Sequence, residues 1–196
     1  MILSDREIHA ALERGAIHIE PALDGSLWSS SAVDLRLAPE LSRWKPPKVG
    51  GVSIPVDPHH EEFNINVLLE ECTEKVIIGS EGYVLEPRSF HLGWTIERVK
   101  LPSRSRIAAR VEGKSSLARL GLGIHITAPT IHAGFGFNDK DPSFPRIPIQ
   151  LEIWNFGELP IRVRQGMKIC QLILEEVHGT PEKGYSGKFA VQGPRA

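Results

Sequence analysis

A mainly β fold of short strands and tight turns is what this 196-residue sequence predicts, and three observations carry the prediction. Brief runs of Val, Ile and Leu recur along the whole chain. Between them stand 15 Pro and 18 Gly, residues that punctuate strands rather than extend helices. The N-terminal stretch is one of few with a convincing helical period. The chain is the size of one ordinary domain, and 41% hydrophobic against 24% charged residues suits a protein that buries a sizeable core. Strands at this density without alternating long helices favour a sandwich or distorted barrel, with residues 1–196 as one domain.

The helix comes first, within residues 1–14. Ser4 or Asp5 caps it, Glu7 stands at capping-box spacing from Ser4, and Ile8, Ala11 and Leu12 form an apolar stripe that Gly15 ends. Residues 17–19 read as a short strand closed by Pro21. Residues 32–37 alternate with period two, which sets Val33, Leu35 and Leu37 on one face and Asp34 and Arg36 on a polar one. Pro39, Pro46, Pro47, Pro55 and Pro58 predict a loop with at most short edge pieces over 38–62. Strands at 76–78, 83–85 and 90–95 follow at hairpin spacing, with a turn from Gly79 to Gly82. Others fit 107–111, 124–126, 149–154, 161–163 and 169–174. Residues 178–196, Gly- and Lys-rich, are expected to form a mobile tail.

Charge excludes two classes of partner. Lys and Arg number 23 against 24 Asp and Glu, a net charge of -1, so neither nucleic acid nor a membrane surface is expected to bind. Apolar runs fall far short of the roughly 18 to 20 residues that span a bilayer. Residues 1–20 lack the pattern of a secretory leader, and Cys72 and Cys170 stand apart with no C-x-x-C. A reducing cytoplasm is the expected location. His59-His60-Glu61-Glu62 reads as a solvated loop, because adjacent ligands rarely converge on one ion. His125, between Ile124 and Ile126, reads as a satisfied strand histidine.

The chemistry gathers in residues 112–122, Glu-Gly-Lys-Ser-Ser-Leu-Ala-Arg-Leu-Gly-Leu. Gly113, Lys114, Ser115, Ser116 and Arg119 offer a turn whose N–H groups, hydroxyls and cations suit one phosphate chain. The spacing is not that of a Walker A loop. The alternative is a helical turn capped by Ser115, with Leu117, Leu120 and Leu122 in the core.

This segment, followed by Ile-His-Ile-Thr-Ala-Pro-Thr-Ile-His-Ala-Gly-Phe and then by residues 149–172, resembles the dCTP deaminase branch of the dUTPase superfamily. Residues 32–37, Val84-Leu85-Glu86-Pro87, Thr95-Ile96-Glu97, Gly187-Lys188-Phe189 and Gln192-Gly193 extend the likeness across nearly the whole chain. The resemblance implies a jelly-roll-like, distorted β-barrel of the dUTPase type (a β-clip), with a short N-terminal helix and few others. It implies a homotrimer with sites between subunits, a dCTP or dUTP ligand, and Mg2+ carried on the triphosphate. By the same resemblance Lys114, Ser115 and Ser116 hold the triphosphate, and Ser115 also shapes the catalytic centre. Glu152 is the catalytic carboxylate and Arg119 its neighbour. Thr127 and Ala128 line the base and the attacking water. Tyr185, Lys188 and Gln192 fold over the nucleotide.

Such chemistry is intelligible in itself. Hydrolytic deamination needs water at C4, a proton on N3 and departure of ammonia, and one ionised carboxylate can relay the proton. Burial would protonate a Glu, whereas a nearby Arg favours its charged form, so Arg119 is expected to keep Glu152 a base. Zinc deaminases carry H-x-E and P-C-x-x-C signatures that this chain lacks, which makes a zinc-free mechanism the expectation.

Four features depart from the family pattern, besides Phe189 in the tail where Tyr is commoner. His132 stands where an acidic residue usually contacts the sugar and positions water for phosphate cleavage, and Thr130 replaces a residue that is often basic. Lys114 stands where Arg is commoner, which keeps charge but not a bidentate fork. Residues 138–146 lengthen a normally short hairpin by roughly ten residues, a length often functional in loops. Three readings therefore stand: a dCTP deaminase yielding dUTP, a dUTPase or bifunctional enzyme yielding dUMP, and a non-catalytic nucleotide-binding homologue.

Overall fold

The computed structural model describes residues 1–45, 48–49, 52–53, 55–138, 141 and 143–182. Helix α1 spans Asp5–Glu13 with the expected capping box: Ser4 Oγ accepts from the Glu7 N–H, and the Glu7 carboxylate accepts from the Ser4 N–H at 2.7 Å. Its stripe buries Ile8 and Ala11. Strands β1 (His18–Glu20) and β2 (Val33–Trp44) follow, then the two-residue strands β3 (Lys48–Val49) and β4 (Val52–Ser53). Helix α2 (Ile65–Cys72) leads into β5 (Thr73–Ile77), β6 (Tyr83–Leu85), β7 (Ser89–Lys100) and β8 (Ile107–Gly113). A short helix, α3 (Ser115–Ala118), precedes β9 (Leu122–Ile124), β10 (Thr130–Ile131), β11 (Ile147–Asn155), β12 (Ile161–Val163) and β13 (Lys168–Glu176).

The mainly β class is as predicted, and its topology is non-local. The main sheet runs β10-β8-β13-β2-β7-β11-β9, with β1 added to β7 and β5 to β2. One long strand serves several neighbours. β2 pairs with β13 through Val33–Arg36 and with β5 and β7 further on, so the sheet bends around a core that includes Leu35, Leu37, Leu41, Leu101, Val111, Ile149, Leu151, Ile153 and Leu172. The Gly79–Gly82 turn closes with a 2.9 Å bond between the Gly82 N–H and the Gly79 carbonyl. The strands around it do not form the expected hairpins: β5 joins β2, and β6 joins β12.

The loop predicted from residue 38 is corrected over 38–44, which are strand. Pro39 is tolerated because it lies in a bulge, where the register with β7 jumps between Leu37 and Leu41. Its carbonyl still accepts from the Ile78 N–H at 2.8 Å. Helix α2 was not expected. Asn64 caps it by accepting from the Asn66 and Val67 N–H groups.

Candidate active site

The polar face of β2 is the first surprise. Asp34, on the polar face that the alternation sets, is only 8% exposed. It accepts from Lys114 Nζ at 2.5 Å and Gln171 Nε2 at 3.2 Å, and Lys168 Nζ lies 3.5 Å away. Two residues on, Arg36 donates from its N–H and its Nε to the fully buried Glu97 carboxylate, at 2.7 and 2.6 Å. Charge buried in this way persists only when paired and hydrogen-bonded. Sequence alternation singled out Asp34 but could not place Lys114 against it, because 80 residues separate them.

Lys114 therefore enters α3 as its N-cap residue with its ammonium tied to Asp34. Ser115 is the first residue of the helix rather than its cap, and no side-chain cap bond is made. Ser115 and Ser116 are exposed, as is Arg119 at the C-terminal end of the same turn. Of the leucines assigned to the core in the alternative reading, Leu122 is buried, Leu117 is partly buried, and Leu120 is 46% exposed. Gly121, at φ +91°, turns the chain from α3 into β9, and its carbonyl accepts from the Phe156 N–H at 2.8 Å. That bond fixes α3 to the end of β11.

Glu152 sits at the middle of β11, between the buried Leu151 and Ile153 and opposite Leu92 of β7. It is half-buried, and desolvation holds its carboxyl above the usual range. No ion pair joins it to Arg119 among the described residues, so within one chain the expected counter-charge is missing. The segment with Thr127 and Ala128 reaches it through the backbone: the His125 N–H donates to the Glu152 carbonyl at 3.1 Å. Thr127 and Ala128 are exposed, and the Pro129 carbonyl accepts from the Val111 N–H at 2.9 Å. His132 is exposed just past β10. Tyr185, Lys188 and Gln192 lie outside the described residues.

The histidine expected to be satisfied in a strand is neither. β9 ends at Ile124, His125 adopts φ +51°, and its ring Nδ1 is buried without a hydrogen-bond partner among the described residues. Burial pulls its pKa down to about 4, so it is neutral at physiological pH. Asn155 carries no signal in the sequence: fully buried, it donates to the Leu85 and Leu159 carbonyls and accepts from the Gly157 N–H, locking the end of β11.

Around Glu152 the outward sheet face is apolar. Phe90, Trp154 and Phe156 stack in series with centroids 4.4 and 5.3 Å apart. Phe156 is 55% exposed, and Ile126 and Leu120 are about half exposed beside them.

Fold and site together define a mainly β protein with a lysine- and hydroxyl-bearing turn and a desolvated carboxylate on the neighbouring strand. The family model described as dCTP deaminase-like matches residues 2–177, and the chain belongs to that family. The dUMP-forming dCTP deaminase of Sulfurihydrogenibium sp. is 37% identical over 195 residues, 100% of this chain and 93% of its own. That of Methanosphaera stadtmanae is 35% identical over 185 residues, covering 94% and 83%. The dCTP deaminase of Rhodospirillum rubrum is 35% identical over 187 residues, 95% and 88%. In fold, the chain is similar to the 2'-deoxycytidine 5'-triphosphate deaminase from Agrobacterium tumefaciens, with a TM-score of 0.63 at 23% identity over 90% of this chain. It spans about half of that longer chain, 48%.

Proposed function

We propose that this protein hydrolyses dCTP to dUTP and ammonia, with Glu152 as general base and no zinc. The observation that carries the reading, beside family membership, is a lone desolvated carboxylate on an outward strand face next to a phosphate-suited turn. Lys114, Ser115 and Ser116 would bind the triphosphate, and Thr127 and Ala128 would border the cytosine. Water attacks C4 while Glu152 takes its proton and delivers it to N3. The hydroxyl proton then passes through Glu152 to the amino group, the C4–N bond breaks, and ammonia leaves.

Mg2+ fits this site as a passenger on the triphosphate, where it neutralises phosphate charge. The donors at α3 are hydroxyls and an ammonium, which suit phosphate oxygens. Among the described residues no three His, Cys, Asp or Glu side chains cluster to hold a metal directly.

Arg119 supports Glu152 in this reading only across a subunit contact, since within one chain it is exposed and unpaired with it. The Phe90-Trp154-Phe156 stack, half-buried except for the 55% exposed Phe156, supports such a contact: an apolar surface of this kind marks an interface, and covering it would seal Glu152 from bulk water. The working unit is then a homotrimer in a reducing cytoplasm, where the two buried free cysteines stay reduced. Tyr185, Lys188 and Gln192 would close over the nucleotide.

A second reading, a bifunctional enzyme carrying dCTP through to dUMP, is favoured by the dUMP-forming names of two relatives. His132 counts against it, because imidazole replaces the carboxylate expected to position a water at the phosphate. Incubation with dCTP and chromatographic separation of dUTP from dUMP tests the choice. Accumulated dUTP supports simple deamination, and dUMP with pyrophosphate supports the second reading.

A further inference from the structure

At the end of the sheet away from Glu152, three segments converge on a second basic site. β1 pairs with β7 so that His18 faces Lys100 and Glu20 faces Arg98. β11 starts opposite Val99, which brings Arg146 to the same place. A cleft of about 480 Å3 opens there, lined by Glu20, Pro21, Ile96, Arg98, Pro145 and Arg146.

The polar groups of this cleft are unevenly matched. Glu20 is its only carboxylate, and Arg146 Nη1 already donates to it at 3.1 Å. Arg146 Nε is buried without a hydrogen-bond acceptor among the described residues. Arg98 is exposed and carries no ion pair among them. Lys100 is buried behind, donating to the Phe144 carbonyl at 3.0 Å. His18 registers the resulting field: besides its burial, Arg146 and Lys100 both oppose its protonation. A buried donor lacking an acceptor, beside an unpaired guanidinium, is the arrangement that a bound oxyanion completes.

We propose that this cleft binds a small phosphate-bearing anion, held by the Arg98 guanidinium and the Arg146 Nε, with Ile96, Pro21 and Pro145 against its non-ionic part. The cleft is separate from the α3 turn. Arg98 stands opposite Pro148 and Leu92 opposite Glu152, so four β11 residues, about 13 Å at about 3.3 Å each, part the anion from Glu152. Arg146 ends the 138–146 segment that the family resemblance reads as a lengthened hairpin.

The test is calorimetric titration of the full-length protein with inorganic pyrophosphate and with dCTP, in wild type, Lys114→Ala, Arg98→Ala and Arg98→Lys. Pyrophosphate should still bind Lys114→Ala, now through the cleft alone. Arg98→Ala should weaken that binding about tenfold or more while leaving the unliganded Tm unchanged, and Arg98→Lys should fall between. Within Lys114→Ala, tighter dCTP than pyrophosphate would make the ligand a nucleotide, and equal binding a free inorganic anion. Absence of pyrophosphate binding, or binding lost in Lys114→Ala yet retained in Arg98→Ala, overturns the proposal. Either outcome leaves the deamination reading untouched, and failure of that reading leaves the cleft untouched.

Discussion

Glu152 concentrates the account into one side chain whose ionisation works against its burial. Its carboxyl is held above the ordinary range by desolvation, so burial disfavours the ionised form that the proposed chemistry needs. Two consequences run in opposite directions. As a base it should lose activity as pH falls through its raised pKa, at a higher pH than an ordinary glutamate, and a pH profile of kcat/KM at saturating Mg2+ reads that limb. Between the ordinary and the raised value the native state holds more proton than the unfolded chain, so this group's contribution to stability declines as pH rises. Glu152→Gln should therefore match or exceed the wild-type Tm at neutral pH. Its rate should meanwhile fall by about 10² or more, the usual yield of a general base. A Tm well below wild type would point to a structural carboxylate instead.

At the scale of elements, what was readable in the sequence was what depends on neighbours in the chain. The α1 capping box, the alternation of 32–37 and the Gly79–Gly82 turn all formed from local signals. Helix α2 has its signal too, with Ile65, Leu68, Leu69 and Cys72 at helical spacing after Asn64, but the Pro-rich stretch before it hides that signal. What stayed hidden was pairing at long range. No pattern within residues 32–44 announces that Asp34 meets Lys114, that Arg36 meets Glu97, or that Pro39 falls in a bulge. The site was legible in the same uneven way: the turn at 114–116 and Glu152 stood out, whereas Asn155 and the strained His125 did not. Gly121 is where element geometry is most exposed to test. A Cβ there would lie 2.5 Å from the Gly157 backbone nitrogen, at a φ that L side chains rarely adopt. Gly121→Ala should cost about 1–3 kcal/mol of stability by thermal or urea unfolding, and loosen α3 from β11. Gly25→Ala, with nothing within 4 Å, is the control expected to leave the Tm unchanged.

For the whole molecule, the decisive feature is an apolar face that a lone chain leaves open. Phe90, Trp154, Phe156 and Ile126 lie on and beside the strand that carries Glu152, while Arg119 is exposed and makes no ion pair with it among the described residues. A symmetric neighbour would cover the first and supply the second. Light scattering should give three times the 21.7 kDa chain mass. Phe156→Asp should shift that mass toward one chain and abolish ammonia release together, with circular dichroism unchanged. An active monomer would refute the shared site.

The most direct measurement is an ammonia-release assay on dCTP, run on wild type and Glu152→Gln at matched protein concentration, with the nucleotide products resolved by chromatography. One ammonia is expected for each uracil nucleotide formed by the wild type, and loss of both in the variant although it remains folded. Ammonia release that persists in Glu152→Gln, or folded wild-type protein that turns over no dCTP, would contradict it.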